Sequence, residues 1–521
     1  MRDESGASGG GLAAFLLAVF IAACTAALAV WWGGVNQDEG WYLYASKLVG
    51  EGKLPYRDFF FTQGPVLPFL YSVMPIRGLL SGRLVTLAFS VLATLVSMAL
   101  ARRLVSPERR GAAALTVFAM LACNIYHVYF TTIPKTYAIG SLFVVVGFLL
   151  LSRGWHFLSA VSFAFASGTR ISLVLILGVV GVALLVTRFR ELKWLWFGVG
   201  GVFGLFLVYG FFAIDQQSLR GLLAAQAYHA GRGGFDPFFA VGAVSRLARG
   251  YLALGAVLFA AAFLKRVHGE PLPVRHWGVA ELESPSPMMW MMGLSFAAVF
   301  LLQMSAPFPY DDYEVPIMPL LAVLISVWYA NRAPAVHGGV SHLWFPVFAA
   351  GMCAFASPQI QDWMTNGQDR FWSLKKEKSE LAQMRDVARQ LEALDPGGEM
   401  LFTQDLYLAV EMGRKVPEGL EMGPFSYFPA MSTADAEALH VMNGERLEAL
   451  IDSAPCRLAA YSGYGFAIEV PKGTPTPVET RRIFGDRLLR KYSYKGKVDK
   501  FGQNHTMLQF FTRRDGADRA D

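Results

Sequence analysis

The sequence predicts a mainly α-helical protein: a multi-pass transmembrane bundle of about 11 spans, followed by a small α/β domain outside the membrane. Three observations carry this expectation. The 521-residue chain is 54% hydrophobic and only 17% charged, with a positive mean hydropathy, which is too apolar for a soluble protein of this size. Its apolar residues fall in blocks long enough to cross a bilayer. Beyond residue 358 the blocks stop, and a polar sequence with alternating helical and strand-like patterns begins. The chain therefore divides into a membrane part, 1–357, with a first outward loop at 35–80, and an extracytoplasmic α/β part, 358–521.

The expected spans lie at 12–33, 81–101, 111–129, 137–152, 155–168, 171–187, 193–213, 249–264, 287–304, 315–330 and 341–357. The first raises the question of a signal peptide, because Ile21-Ala22-Ala23-Cys24 resembles a lipoprotein cleavage site. The apolar run continues past Cys24 to Trp32, however, and only Arg2 precedes it, so a retained helix is expected. The block 155–187 reads either as one very long helix or as two short ones parted by Gly168-Thr169-Arg170. Charge decides. With a cytoplasmic N-terminus and a break at Arg170, the loops carrying Arg102, Arg103, Arg109 and Arg110, then Arg188, Arg190 and Lys193, then Lys265, Arg266 and Arg275 all face the cytoplasm, as the positive-inside rule prefers. The inner membrane is the expected location. Asp38, Glu39, Asp58, the loop Pro307–Glu314 and the polar C-terminal part then share the outer side.

The outward loop 35–80 is too polar to span. Trp41, Tyr44, Ala45, Leu48 and Val49 recur at helical spacing while Glu39, Lys47 and Glu51 take other faces, the pattern of a helix lying in the membrane interface. A second such element is expected from Pro65 to Pro75, and a partly ordered lid from Asp215 to Arg249. In the polar part, Leu381, Met384, Val387, Leu391 and Leu394 mark an amphipathic helix ending at Asp395-Pro396-Gly397-Gly398. A strand (399–403), a helix (433–452), a strand (457–461), a helix (478–490) and a hairpin (491–497 with 506–512) follow.

The formal charge of +6 does not point to nucleic acid, because the basic residues are scattered through short loops. Cys24, Cys123 and Cys353 sit in apolar segments and Cys456 stands alone, so neither a disulfide framework nor a metal spacing is visible. The chemistry-bearing feature is the adjacent pair Asp38-Glu39, directly after the first span, with Asp58 in the same loop. A carboxylate at a partly dehydrated surface has its ionised form disfavoured, which suits it to general-base work. Neighbours on a helix diverge by roughly 100°, so the two carboxylates are expected to have different tasks. Asp38, Asp58, Asp311 and Asp312 could offer oxygen ligands to a divalent ion, but nothing in their spacing demands one, and neither a metal nor a cofactor is expected.

The order of a first span, Asp-Glu, an aromatic amphipathic helix, Pro-Tyr-Arg-Asp (55–58) and Gly-Pro (64–65) resembles the GT-C glycosyltransferases. It is most similar to the family 39 branch, with the protein O-mannosyltransferases and lipid A aminoarabinose transferases. The resemblance implies a membrane enzyme of the cell envelope that moves a sugar from a polyprenyl-phosphate lipid to a hydroxyl of a glycan, lipid or protein. It implies Asp38 as the catalytic base, Glu39 beside it as a support for the geometry or the acceptor, and Asp58 as a second acidic position. Pro309–Pro319, PYDDYEVPIMP, sits where the family has a polar, aromatic segment near the lipid phosphate, which makes Tyr310, Asp312 and Tyr313 substrate-binding candidates. Its acidic residues are not phosphate ligands, and Gln63-Gly64-Pro65 stands where the aminoarabinose transferases have Lys-Pro-Pro. Arg170 and Lys135, at outward helix ends, are the cations left to meet a lipid phosphate. His229 and Arg232 read as surface groups. The rival reading is a transporter or flippase of a lipid-linked substrate, but such proteins place ionisable residues near mid-membrane, whereas here the acids gather at one face.

Overall fold

A computed structural model describes residues 5–251, 255, 287–332, 346–348, 351 and 378–514. Most of the spans expected at 249–264 and 341–357 lies outside these residues, as do Cys353, the basic loop with Lys265, Arg266 and Arg275, and the boundary expected near 357. Among the described residues six helices are long and apolar enough to cross a membrane: Gly11–Trp31, Leu79–Arg103, Ile171–Glu191, Lys193–Ile214, Pro287–Met304 and Asp311–Asn331. Two shorter apolar helices, Tyr137–Ser152 and His156–Ser167, pack among them. The chain is thus a multi-pass membrane protein, mainly helical. The helix expected at 111–129 is two helices, Arg110–Ala122 and Ile125–Phe130. Asn124 is the reason: its side-chain oxygen accepts the His127 amide at 3.2 Å and so starts a new helix.

Local chemistry fixes how the first loop leaves the bundle. Arg83, fully buried in the helix Leu79–Arg103, donates to the carbonyls of Val30 (3.0 Å), Gly33 (2.9 Å) and Gly34 (3.0 Å). It thereby caps carbonyls that the end of the first span leaves without partners. Its remaining N–H groups grip Glu39 at 2.7 and 2.8 Å, so that all five donors of the guanidinium are used. Glu39 Oε1 also accepts the Asn36 amide at 2.8 Å while Asn36 accepts the Asp38 amide at 3.0 Å, a capping box that opens the helix Gln37–Gly50.

That helix does not lie in the membrane interface with a wet face, as its periodicity predicts. Gln37, Glu39 and Gly40–Ser46 are all buried, because the polar C-terminal part covers the side turned away from the bundle. Gly40 faces the Leu406–Met412 helix so closely that a Cβ there would lie 2.3 Å from the Tyr407 amide nitrogen. Tyr44 accepts the Val416 amide at 2.9 Å, and Lys47 donates to the Gly413 carbonyl at 2.6 Å. One continuous hydrophobic core runs from Val35–Leu79 of the loop through Leu381–Phe511, and a second fills the helical bundle.

The C-terminal part is a four-stranded sheet flanked by helices. Its strands are β1 (Leu401–Phe402), β2 (Leu458–Tyr461), β5 (Tyr492–Phe501) and β6 (Thr506–Arg513), in the order β1-β2-β6-β5. β1 and β2 are parallel and the other neighbours antiparallel. Between β2 and β5 sits a small antiparallel pair, β3 (Ile468–Glu469) and β4 (Thr474–Pro475). The helices Glu380–Leu394 and Val478–Lys491 fall where the pattern predicts, whereas the stretch 433–452 is two helices, Thr433–Ala438 and Gly444–Ser453, parted by the N-cap Asn443. The segment expected as a partly ordered lid is a pair of regular helices, Gln216–Ala230 and Pro237–Gly250, each capped by an aspartate, Asp215 and Asp236.

Candidate active site

Six chain segments meet at one end of the bundle, beneath the C-terminal part. They are the start of the helix Gln37–Gly50, the turn before Tyr137, the break at 168–170, the end of the helix Gln216–Ala230, the short 3₁₀ stretch Asp311–Ile317, and the turn after β2.

Asp38 stands in the first turn of its helix, where the helix dipole favours a negative charge. Its side chain is 29% exposed, against none for Glu39. Trp41 Nε1 donates to its Oδ1 at 3.2 Å and Lys135 Nζ lies 2.8 Å from Oδ2. Lys135 is shared: its ammonium also donates to Asp312 Oδ2 at 3.0 Å, which accepts the Tyr137 hydroxyl at 2.8 Å. Burial acts against the lysine's charge, but Asp312 and Asp38 outweigh it and hold the pKa well above its ordinary value. The ammonium thus bridges two carboxylates, Asp38 and Asp312. Among the described residues no group of three His, Cys, Asp or Glu side chains is arranged around a metal ion.

Opposite this cluster are two guanidinium groups with no carboxylate partner among the described residues. Arg170 lies between two rings, 5.1 Å from the centroid of Tyr137 and 4.6 Å from that of Tyr313. Arg232 lies over Tyr228 (5.6 Å) and Phe308 (5.9 Å), and its Nε is buried without a hydrogen-bond partner. Both are stabilised by ring faces, and Arg232 also bonds the Tyr313 side chain. His229 sits between them and Thr62, whose carbonyl is 2.7 Å from its Nε2. Burial holds His229 below its ordinary pKa, and Arg232 and Arg170 add to the effect.

The position of Arg170 follows from glycines. The backbone breaks at Gly168-Thr169-Arg170, and Gly64 presses against it so tightly that a Cβ would lie 2.1 Å from the Gly168 carbonyl oxygen. The Val66 amide donates to that same oxygen at 3.0 Å. Gln63-Gly64-Pro65 is thus a seat for the break and supplies no cation of its own.

No protein-family model matches the chain, and no curated protein matches its sequence. Solved structures do match in shape. ArnT from Cupriavidus metallidurans in the apo state aligns over 97% of this chain and 98% of its own, with a TM-score of 0.58 at 13% identity. ArnT from the same organism bound to undecaprenyl phosphate aligns over 96% and 98%, with a TM-score of 0.54 at 13% identity. The chain has the GT-C fold.

On this GT-C frame the candidates separate. Asp38, Lys135, Asp312, Arg170 and Tyr313 come together. Tyr310 is 42% exposed at the rim, its ring 5.5 Å from Tyr313 and 5.4 Å from Phe239. Glu39 does not face the site, because its carboxylate is consumed by Arg83 and the helix cap. Asp58 does not join it either: Arg57 binds its Oδ1 at 2.9 Å, the Leu54 amide donates to its Oδ2 at 2.7 Å, and it shares no partner with Asp38. It closes its own turn. Lys135 carries a charge already met by the carboxylates of Asp38 and Asp312. Arg232 was not expected here. It follows the helix Gln216–Ala230, in a stretch whose pattern looks like an ordinary surface loop, and its only signal in the sequence is Gly231-Arg232-Gly233-Gly234.

Proposed function

We propose that the protein is a membrane glycosyltransferase that moves a sugar from a polyprenyl phosphate to an acceptor hydroxyl on the outer face of the cytoplasmic membrane. The observation that carries the proposal is the meeting, around Tyr137 and Tyr313, of a partly exposed carboxylate, Asp38, held by Lys135, with Arg170 and Arg232, which have no carboxylate partner among the described residues. The GT-C fold, shared with an ArnT that binds undecaprenyl phosphate, supports it.

In this reading the lipid phosphate lies against Arg170 and Arg232, with its polyprenyl tail in the bilayer. The acceptor oxygen attacks the anomeric carbon from the opposite face, forming a new C–O bond. The bond from that carbon to the phosphate oxygen breaks, the electron pair leaves with the phosphate, and the configuration inverts. The proton of the acceptor hydroxyl passes to Asp38. Lys135 and Trp41 hold the carboxylate in place, and the arginines meet the charge that grows on the leaving phosphate. The transition state gains positive charge at the sugar carbon, so departure of a well-stabilised phosphate asks less of the base. Charge supports the outer face: Arg103 and Arg109 sit at the bundle end opposite to the site, bonded to the carbonyls of Ser152 (3.2 Å) and Asn331.

The test is release of free lipid phosphate from a panel of polyprenyl-phosphate sugars by purified protein. Wild type is expected to release it from one donor, and Asp38→Asn to lower kcat by about 10²–10⁴-fold with donor binding retained. Equal release by both proteins removes Asp38 as the base. Binding of the lipids without release, together with their movement between leaflets in vesicles, would favour a flippase.

A further inference from the structure

The turn after β2, Ser462-Gly463-Tyr464-Gly465-Phe466, brings the C-terminal part to the cleft. Its backbone is built to stay there. Asp405, fully buried, accepts the Ser462 amide at 2.8 Å, the Ser462 hydroxyl at 2.7 Å and the Tyr407 hydroxyl at 2.9 Å. The Ser462 hydroxyl oxygen in turn accepts the Tyr464 amide at 3.2 Å. Gln404 Oε1 accepts the Phe466 amide at 2.6 Å, while the Gln404 carbonyl accepts Gln37 Nε2 at 3.3 Å. Gln37 is the residue before Asp38, so the two sides of the cleft are tied by hydrogen bonds. A second tie runs through the other wall: the Phe428 ring lies 6.3 Å from that of Tyr228, and a Cβ on Gly231 would touch Pro471 at 3.1 Å.

Tyr464 itself is half-buried, and its hydroxyl makes no hydrogen bond among the described residues. Burial pushes its phenol above the ordinary range. The Asp38 carboxylate is the next contributor, followed by Tyr310 and Tyr228, with Arg232 acting in the opposite sense. The bonds through Gln404 to Gln37, next to Asp38, and the contact of Pro471 with Gly231, next to Arg232, set this part of the chain beside both groups. A group flanking both ends of the reaction line lies beside what is held between them. In a glycosyl transfer that is the sugar ring, whose C–H faces pack on aromatic rings and whose hydroxyls pair with phenols and carboxylates.

We propose that Tyr464 forms one wall of the sugar subsite, so that the C-terminal part takes a direct share in selecting which glycosyl group is transferred. This rests on the glycosyl-transfer reading above. It assigns a substrate contact to a residue whose strand and turn belong to the polar part of the chain, outside the membrane bundle.

The experiment compares binding of undecaprenyl phosphate and of undecaprenyl-phosphate hexoses and pentoses to the purified full-length protein. Wild type is expected to bind one sugar-bearing lipid more tightly than the bare lipid. Tyr464→Ala should reduce that preference by about 3- to 10-fold, the range of one hydrogen bond with its ring contact, while affinity for bare undecaprenyl phosphate stays within about twofold. Tyr464→Phe keeps the ring and the packing, and should lose only the hydroxyl's part. Three results overturn the proposal: an undiminished sugar preference in both variants, a parallel loss of affinity for the bare lipid, or no sugar preference in wild type. Failure of wild type to bind even bare undecaprenyl phosphate strikes instead at the phosphate reading of Arg170 and Arg232, and the subsite falls with it.

Discussion

Arg170 and Arg232 show how a positive charge can be kept available in a crowded cleft. Each rests on aromatic faces, which stabilise the cation, and neither has a carboxylate partner among the described residues. Replacing either with Gln should weaken affinity for undecaprenyl phosphate by about 10- to 100-fold, the scale of charge-assisted hydrogen bonds. Arg170→Lys should not restore it, because a point charge loses both the ring stacking and the planar fork. Isothermal titration with the bare lipid phosphate, free of any need for turnover, checks both. Lys135 behaves differently. It already binds Asp38 and Asp312, so Lys135→Met should lower kcat through a misplaced Asp38 while lipid phosphate affinity changes little. A drop in that affinity equal to the Arg170→Gln effect would show that Lys135 touches the phosphate after all.

At the scale of elements, the helix Gln37–Gly50 depends on the buried pair of Glu39 and Arg83. Breaking a buried ion pair by removing one partner costs about 3–5 kcal/mol, because the other charge stays behind unpaired. Glu39→Gln and Arg83→Met should each lower stability on that scale. The double variant should be less than additive, as thermal unfolding in detergent would measure. Glu421, beside the same helix, gives a pH signature. Burial raises its pKa from 4.5 to about 7. The folded protein therefore binds a proton that the unfolded chain releases, and stability falls as pH rises between about 4.5 and about 7. Glu421→Gln should remove that part of the fall, which unfolding curves at pH 5 and pH 7 would compare.

Much of this level was legible in the sequence. Apolar length located the six long apolar helices of the described residues, Gly168-Thr169-Arg170 announced the break, and period 3.6 located the helices Glu380–Leu394 and Val478–Lys491. The capping role of Glu39 was concealed. Its partner Arg83 lies 44 positions away, inside an apolar span, where a lone arginine reads as part of a helix end. The aromatic pattern of 41–49 was visible, but a helix covered on both sides and a helix lying on a membrane show the same apolar stripe. What separates them is a layer made by residues 380–511. Arg232 and Tyr464 stayed hidden for the same reason: isolated residues in glycine-rich turns gain meaning only when distant segments meet.

Taken whole, the molecule has its site at a three-way junction of bundle, first loop and C-terminal part. The loop and the C-terminal part share one core, so neither is expected to be stable without the other. A chain ending at residue 378 should still insert its bundle, but should become open to proteolysis within 35–75. Limited proteolysis of membranes containing full-length and shortened chains would show it. Resistance of that loop in the shortened chain would mean that the bundle alone holds it.

That shared core also sets a timetable for synthesis. The Val35 amide donates to Glu380 Oε2 at 2.6 Å across a separation of 345 residues. At chain growth of about 5–20 residues per second, the ribosome needs roughly 17–70 s to make the cover for a loop that is synthesised first. During that interval Trp41, Tyr42, Tyr44 and Phe59–Phe61 are outside the bilayer with their later partners unmade. A nascent chain in this state presents a sticky aromatic surface, and a helper that shields it, or a pause that shortens the wait, would govern how much functional protein a cell obtains.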